Sequence, residues 1–166
     1  KKISSITIDM PKYGVQLCGS PIEQKRNPQS PVDAQFSGCF AVALALTEQR
    51  ADMTTFTSAL DKGLSDEFKR LMSITNIEQA DDLDAIHPEF WPGRVKMIID
   101  GDEVELYGKH MRGERERPMT IEEVQDKFRD LSPKHDEKNR KEVFDVINNL
   151  ENASIDDLLV PLRKSS

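Results

Sequence analysis

Ile6 and Ile8 are separated from their neighbours by polar Ser5 and Thr7, the two-residue period of a strand with one covered face. The chain opens directly on this alternation, from Lys1 through Ile3, with no initiator Met and no targeting segment, so it is expected to begin inside a longer protein. Pro11, Gly14, Gly19 and Pro21 then interrupt any regular pattern, and residues 10–30 read as a loop. Ser30-Pro31-Val32-Asp33 has the form of a helix start, with Ser30 as N-cap and Pro31 in the first turn. The spacing predicts one long helix from there to about Arg50. Its Ala34, Cys39, Phe40, Val42, Ala43, Leu44, Ala45 and Leu46 are apolar around most of the circumference, as in a helix covered on more than one side.

Two short helices should follow. Asp52 can cap one running through Phe56 and Leu60 to Gly63, and Ser65 can cap another that carries Phe68, Leu71 and Met72. Ile74 and Ile77 suit a strand, before an acidic stretch from Glu78 to Asp84 breaks the pattern. The strongest strand signal is a hairpin: Arg94–Ile99, the turn pair Asp100-Gly101, then Glu103–Tyr107. From Pro118 the period becomes helical. Thr120 and Glu123 form a capping box with Met119 and Val124 as its hydrophobic staple, and Ile121, Val124, Phe128 and Leu131 fall on one face. Pro133 separates a second helix carrying Val143, Phe144, Ile147 and Leu150, and Ser154 and Asp157 open a third. The fold class is therefore α+β: residues 1–117 as a small domain with a sheet packed on helices, and residues 118–166 as a C-terminal helical segment.

Composition narrows the range of functions. Of the 166 residues, 37% are hydrophobic and 32% charged, a globular balance without an apolar run of membrane-span length. A net charge of -7 argues against the clustered positive surface that a nucleic acid or anionic membrane requires. Cys18 and Cys39 are too few for a disulfide framework or a structural zinc site, and they read as reduced thiols of a cytoplasmic protein. A bridge between them is the lesser alternative.

His87, His110 and His135 are scattered, with no His-Glu-x-x-His, paired-cysteine or acidic cation-loop motif, and no metal is expected. No glycine-rich phosphate loop occurs either, so no nucleotide cofactor is expected. Arg112–Arg117, with alternating Arg and Glu, offers anion-binding donors, but a solvated loop whose charges neutralise one another is the heavier reading. Glu89 beside Trp91 is weighed the same way, an acid with a raised pKa against a solvated one, and solvation is favoured. Lys25 and Arg26 precede a helix N-terminus, where a carboxylate could also meet free N–H groups, though surface solubility weighs more. Gln35, Ser37 and Cys39 could line a pocket. Ser37 lacks an evident base for a nucleophilic role and reads as a packing or hydrogen-bonding residue.

Three stretches together resemble the MmgE/PrpD family. Lys25-Arg26-Asn27-Pro28 followed by Val32-Asp33-Ala34-Gln35-Phe36-Ser37 is similar to the family's Lys-Pro and Asp-Ala-x-Phe-Ser signature. Phe90-Trp91-Pro92-Gly93-Arg94-Val95 leads to Asp100-Gly101, and Gly113, Pro118-Met119-Thr120 and Lys127-Phe128 match the third element in order and spacing. The resemblance implies the C-terminal portion of a protein with a mostly helical domain, built largely from upstream sequence, and a smaller α+β lid whose C-terminal helices return to the helical domain. It implies a cofactor-free lyase that dehydrates or decarboxylates a small di- or tricarboxylate, in the manner of 2-methylcitrate dehydratase or cis-aconitate decarboxylase. An epimerase on the same framework, or a non-catalytic interaction domain, is the alternative.

Removing a proton beside a carboxylate builds up negative charge, so such a site needs a base, a proton donor and cations. Most of the family's histidine and lysine groups for these roles lie upstream of this segment. Within it, the resemblance places Lys25, Arg26, Gln35, Ser37 and Phe40 nearest the substrate. Many relatives carry a pocket-facing tyrosine where this chain has Phe40, and a phenyl ring can shape a cavity but donates no proton. The implied partners are a small carboxylate substrate, the upstream helical domain or a partner chain, and a second copy in a homodimer.

Overall fold

In the computed structural model, which describes residues 2–163, the opening alternation becomes strand β1 (Ile3–Met10). Three more strands complete a mixed sheet: β2 (Thr75–Gln79), β3 (Gly93–Ile99) and β4 (Asp102–Gly108), in the order β2-β1-β3-β4. β1 runs parallel to β2, with Ile6 opposite Thr75, and antiparallel to β3, with Ile6 opposite Met97. The β3–β4 hairpin turns on Asp100 and Gly101, whose φ angles of 54° and 95° are those the two-residue turn requires. The architecture is α+β.

The helices of this first unit are α1 (Lys12–Gly14), α2 (Ile22–Lys25), α3 (Pro31–Gln35), α4 (Gly38–Glu48), α5 (Met53–Lys62), α6 (Asp66–Ser73) and α7 (Asp81–Asp84), with a π-helical turn at Val15–Gly19. Residues 10–30, expected as a loop, therefore hold short helical pieces. They form because the segment lies against the sheet: a Cβ on Gly19 would sit 2.6 Å from Ile77 Cγ2, an approach only glycine allows. The expected long helix from Ser30 is broken in two. Phe36 and Ser37 leave helical geometry, and Ser37 caps α4 by accepting the Phe40 N–H, as Ser30 caps α3 through Asp33.

Side chains of alternate strand residues point to opposite faces. Ile6 and Ile8 on β1 and Met97 on β3 join Ala34, Cys39, Phe40, Ala43 and Leu44 and the α6 residues Phe68, Leu71 and Met72 in one buried cluster. Each large member contributes roughly 1.5–3 kcal/mol through apolar burial. Coverage of α4 is confined to its first half, since Ala45 to Glu48 are exposed. On the other sheet face, Asp9 is 3% exposed and ion-paired to Lys96 Nζ at 2.7 Å and Arg94 Nε at 2.8 Å. Arg94 also grips Asp82 through both terminal nitrogens at 3.0 Å. Burial alone would raise the Asp9 pKa, but the hydrogen bonds and charges of Lys96 and Arg94 outweigh it and hold the carboxyl below its ordinary range.

A second compact unit begins at Met119 and contains α8 (Ile121–Leu131), α9 (Glu137–Asn148), a 3₁₀ turn (Leu150–Asn152) and α10 (Ile155–Arg163). Thr120 and Glu123 make both bonds of the capping box, and Asp136 caps α9. Phe128 and Phe144 meet edge to face at 5.2 Å, Val143 is 2% exposed, and His135 Nε2 donates to the Leu162 carbonyl at 2.8 Å. Among the described residues no helix is long and apolar enough to cross a membrane.

Candidate functional site

The polar corner where α2, α3 and α4 meet holds three of the expected site residues. Pro21 begins α2, whose last residue is Lys25, and the broken segment at Phe36-Ser37 faces it. Lys25 Nζ donates to the carbonyls of Leu17 and Phe36, both at 2.7 Å, and so ties the π-helical turn to the α3–α4 break. The Ser37 hydroxyl donates to the Lys25 carbonyl while accepting the Phe40 N–H. Arg26 crosses to the sheet, where Nη2 donates to the Thr75 carbonyl at 2.8 Å and to Asn76 Oδ1 at 2.9 Å.

These bonds decide what the corner can do. Ser37, 1% exposed and hydrogen-bonded both as donor and acceptor, is committed to holding the helix start. An ammonium group has three N–H donors, and two of those on Lys25 serve carbonyls, leaving one for a further acceptor. Lys25 and Arg26 thus form a fixed cationic edge rather than two solvated side chains. Cys39, next to the corner and buried, has a thiol pKa pushed up by burial, against the opposing charge of Arg26. It is a packed, protonated thiol and not an activated nucleophile.

The other two expected residues lie apart from this edge. Gln35 is exposed and its Nε2 contacts Met53 Sδ at 3.2 Å. Phe40 is 0% exposed, with its ring 4.9 Å from Phe68 and 5.6 Å from Phe56, centroid to centroid. In the described structure its neighbours are core rings.

Sequence reasoning missed the Asp9–Arg94–Lys96 cluster. Its signal was present: Thr7 and Asp9 share one face of β1, and Arg94 and Lys96 occupy the paired positions of β3. The Arg112–Arg117 loop is largely exposed, with Glu114 half-buried. Glu114 and Glu116 turn toward His110, at 3.3 and 3.8 Å from Nδ1. Glu89 is exposed, as a solvated acid should be.

The corner thus combines a buried helix cap with a fixed pair of cations on an α+β frame. This chain belongs to the MmgE/PrpD family: the description "MmgE/PrpD C-terminal domain" matches residues 1–152. The matched stretch contains the whole sheet unit and continues through α8 and α9. No curated protein matches the chain.

Proposed function

We propose that the chain is the lid and C-terminal helical portion of a cofactor-free lyase that dehydrates or decarboxylates a small di- or tricarboxylate. Family membership supports the general class. The observation that carries the finer reading is the Lys25–Arg26 edge, where both cations are fixed by main-chain carbonyls and one ammonium N–H remains for a substrate carboxylate. In this reading Ser37 positions the edge, and Gln35 and Phe40 bound the region through the packing around it. The general base and the proton donor come from the helical portion encoded upstream or from a partner chain, and the working protein is a cytoplasmic homodimer.

The full polypeptide, incubated with citrate-type acids and followed for loss of water or carbon dioxide, should turn over at least one of them. Lys25→Ala should raise KM more than it lowers kcat, because Lys25 binds a carboxylate in ground and transition states alike. If every acid is unchanged and none binds, the substrate class is wrong. Exchange of solvent deuterium without elimination would instead identify an epimerase. A non-catalytic reading is favoured by one observation, the commitment of Ser37 and most of Lys25 to main-chain carbonyls. A full polypeptide that neither binds nor exchanges would support it.

A further inference from the structure

Large aromatic rings are mostly buried in folded chains, yet Tyr13 and Trp91 of the sheet unit are 51% and 46% exposed and lie side by side. Tyr13 belongs to α1, and Trp91 to the segment that joins α7 to β3. His87 completes the group. Tyr13 and His87 are nearly parallel, 16° apart with ring centroids at 6.3 Å, and Trp91 stands almost perpendicular to both, at 80° and 84° with centroids at 6.0 and 4.7 Å. Hydrogen bonds of the main chain hold the rings in place. The Lys12 N–H donates to Asp84 Oδ1 at 2.7 Å, the His87 N–H to the Asp84 carbonyl at 3.2 Å, and the Phe90 N–H to the Ile86 carbonyl at 3.0 Å. Asp84 thereby ties α1 to the segment that carries His87 and Trp91.

We propose that Tyr13, His87 and Trp91 form a binding corner for an organic cation, the alkylated ammonium head of a small molecule. An aromatic face attracts a cation within about 6 Å of its centroid, and two faces that meet at a corner act on the same charge. Spacing sets the place of the guest. A group lying between two parallel rings needs about 3.5–4 Å on each side, more than the 6.3 Å between Tyr13 and His87 provides. The guest therefore sits in the open angle between Tyr13 and Trp91, the two exposed rings. The Nε2 of His87 is buried and has no hydrogen-bond partner among the described residues, so this ring supports Trp91 and offers the guest no polar anchor.

Charge favours a cation over an anion or a neutral ring. From Asp81 to Trp91 the chain carries Asp81, Asp82, Asp84 and Glu89 and no lysine or arginine, against Lys12 beside Tyr13. Arg94 grips Asp82, and Asp84 accepts from the Lys12 N–H and the Gln79 amide, while Glu89 is exposed between His87 and Trp91 in sequence. An alkylated head suits the corner better than a primary ammonium. The latter is compact, strongly hydrated and seeks acceptors for three N–H groups, whereas methyl groups shed water readily and rest on aromatic faces. This corner does not depend on the carboxylate reading of the Lys25–Arg26 edge, since its guest has the opposite charge.

Choline titrated into the full polypeptide tests the corner, with 3,3-dimethylbutan-1-ol, its uncharged counterpart of the same shape, as the comparison. Choline should bind saturably with a dissociation constant on the order of 1 mM, and its methyl protons should move upfield in NMR spectra as they enter the ring currents. The alcohol should bind about fivefold more weakly or worse. Trp91→Leu and Tyr13→Leu should each weaken choline binding about three- to tenfold, and Trp91→Phe, which keeps an aromatic face, should lose less. That ranking of phenylalanine above leucine at one half-exposed position separates loss of the ring face from loss of the fold, which circular dichroism of each variant checks. Absence of saturable binding up to about 50 mM choline overturns the proposal. So does full affinity in both leucine variants. Equal affinity for choline and the alcohol also overturns it, and marks the exposed rings as an apolar docking patch instead.

Discussion

Ser37→Ala separates a structural from a chemical role for the buried hydroxyl of the Phe36-Ser37 pair. The alanine removes two bonds at once: the cap on the Phe40 N–H and the hydrogen bond to the Lys25 carbonyl. Loss of an N-cap costs about 1 kcal/mol, and a buried carbonyl left without its donor costs about 1–3 kcal/mol more, since Ser37 is 1% exposed and water has little access. The sum is about 2–4 kcal/mol. Ser65→Ala provides an internal standard, because Ser65 caps α6 through Phe68 alone, and it should cost about 1 kcal/mol. Urea denaturation of both variants should show a lower midpoint with an unchanged slope, and a larger drop for Ser37→Ala. Activity per folded molecule, once a substrate is found, should fall by no more than the displacement of Lys25 explains. The reasoning is refuted if Ser37→Ala is no more destabilising than Ser65→Ala. It is refuted equally if stability is intact while turnover falls about a thousandfold, the mark of a nucleophile.

Other outcomes follow from the sheet and core. Asp9→Asn should cost about 1–3 kcal/mol at neutral pH, because it removes the charge that satisfies Arg94 and Lys96 in a buried place. The folded Asp9 carboxyl titrates below its ordinary 3.8, so its stabilisation is complete above that pH and fades as pH falls through the folded value. The variant should therefore show a flatter stability profile in acid, measured by thermal melts across that range. Gly19→Ala should destabilise by about 1–3 kcal/mol, since its Cβ meets Ile77 Cγ2 at 2.6 Å and the branch cannot swing away. Gly38→Ala should be milder, because its 2.8 Å contact is with the movable δ-methyl of the same isoleucine; equal losses in the two melts would contradict this. Phe40→Tyr should lose about 1–3 kcal/mol by burying a hydroxyl among Phe56, Phe68 and the core, and a stability gain would mean that the ring edge reaches a partner.

Where a few adjacent residues decide the outcome, the fold was legible. Asp100-Gly101 demands positive φ at two successive positions, and the hairpin formed there. Thr120 and Glu123 satisfy each other's backbone donors within four residues, and α8 began there. The break between α3 and α4 was harder, because apolar residues run on through it. Its signal was Ser37 followed by Gly38, a second cap hidden inside one helical pattern. Residues 10–30 were illegible for a different reason: their short helices depend on contact with Ile77, far along the chain. The same holds for the candidate site. Lys25 and Arg26 were visible as charges, but their bonds to the carbonyls of Phe36 and Thr75 follow no side-chain period. His110, Glu114 and Glu116 meet only because the backbone reverses at Gly113.

The place of β1 between β2 and β3 also governs the order in which this domain can assemble. It precedes the other described strands in the sequence, yet its paired edges wait for partners beyond residue 74: Thr75 and its neighbours on one side, Arg94 to Ile99 on the other. Closing such long loops carries an entropic cost before the pairing returns any of it, which slows folding relative to local hairpins. During synthesis Ile3, Ile6 and Ile8 therefore stay open on an unpaired strand while the intervening helices emerge, and this is the segment most exposed to intermolecular pairing. The β3–β4 hairpin, whose contacts are local, can form first and offer β1 its antiparallel edge. A chain truncated before Gly93 would retain β1 and β2 but lack that template, and should aggregate rather than fold.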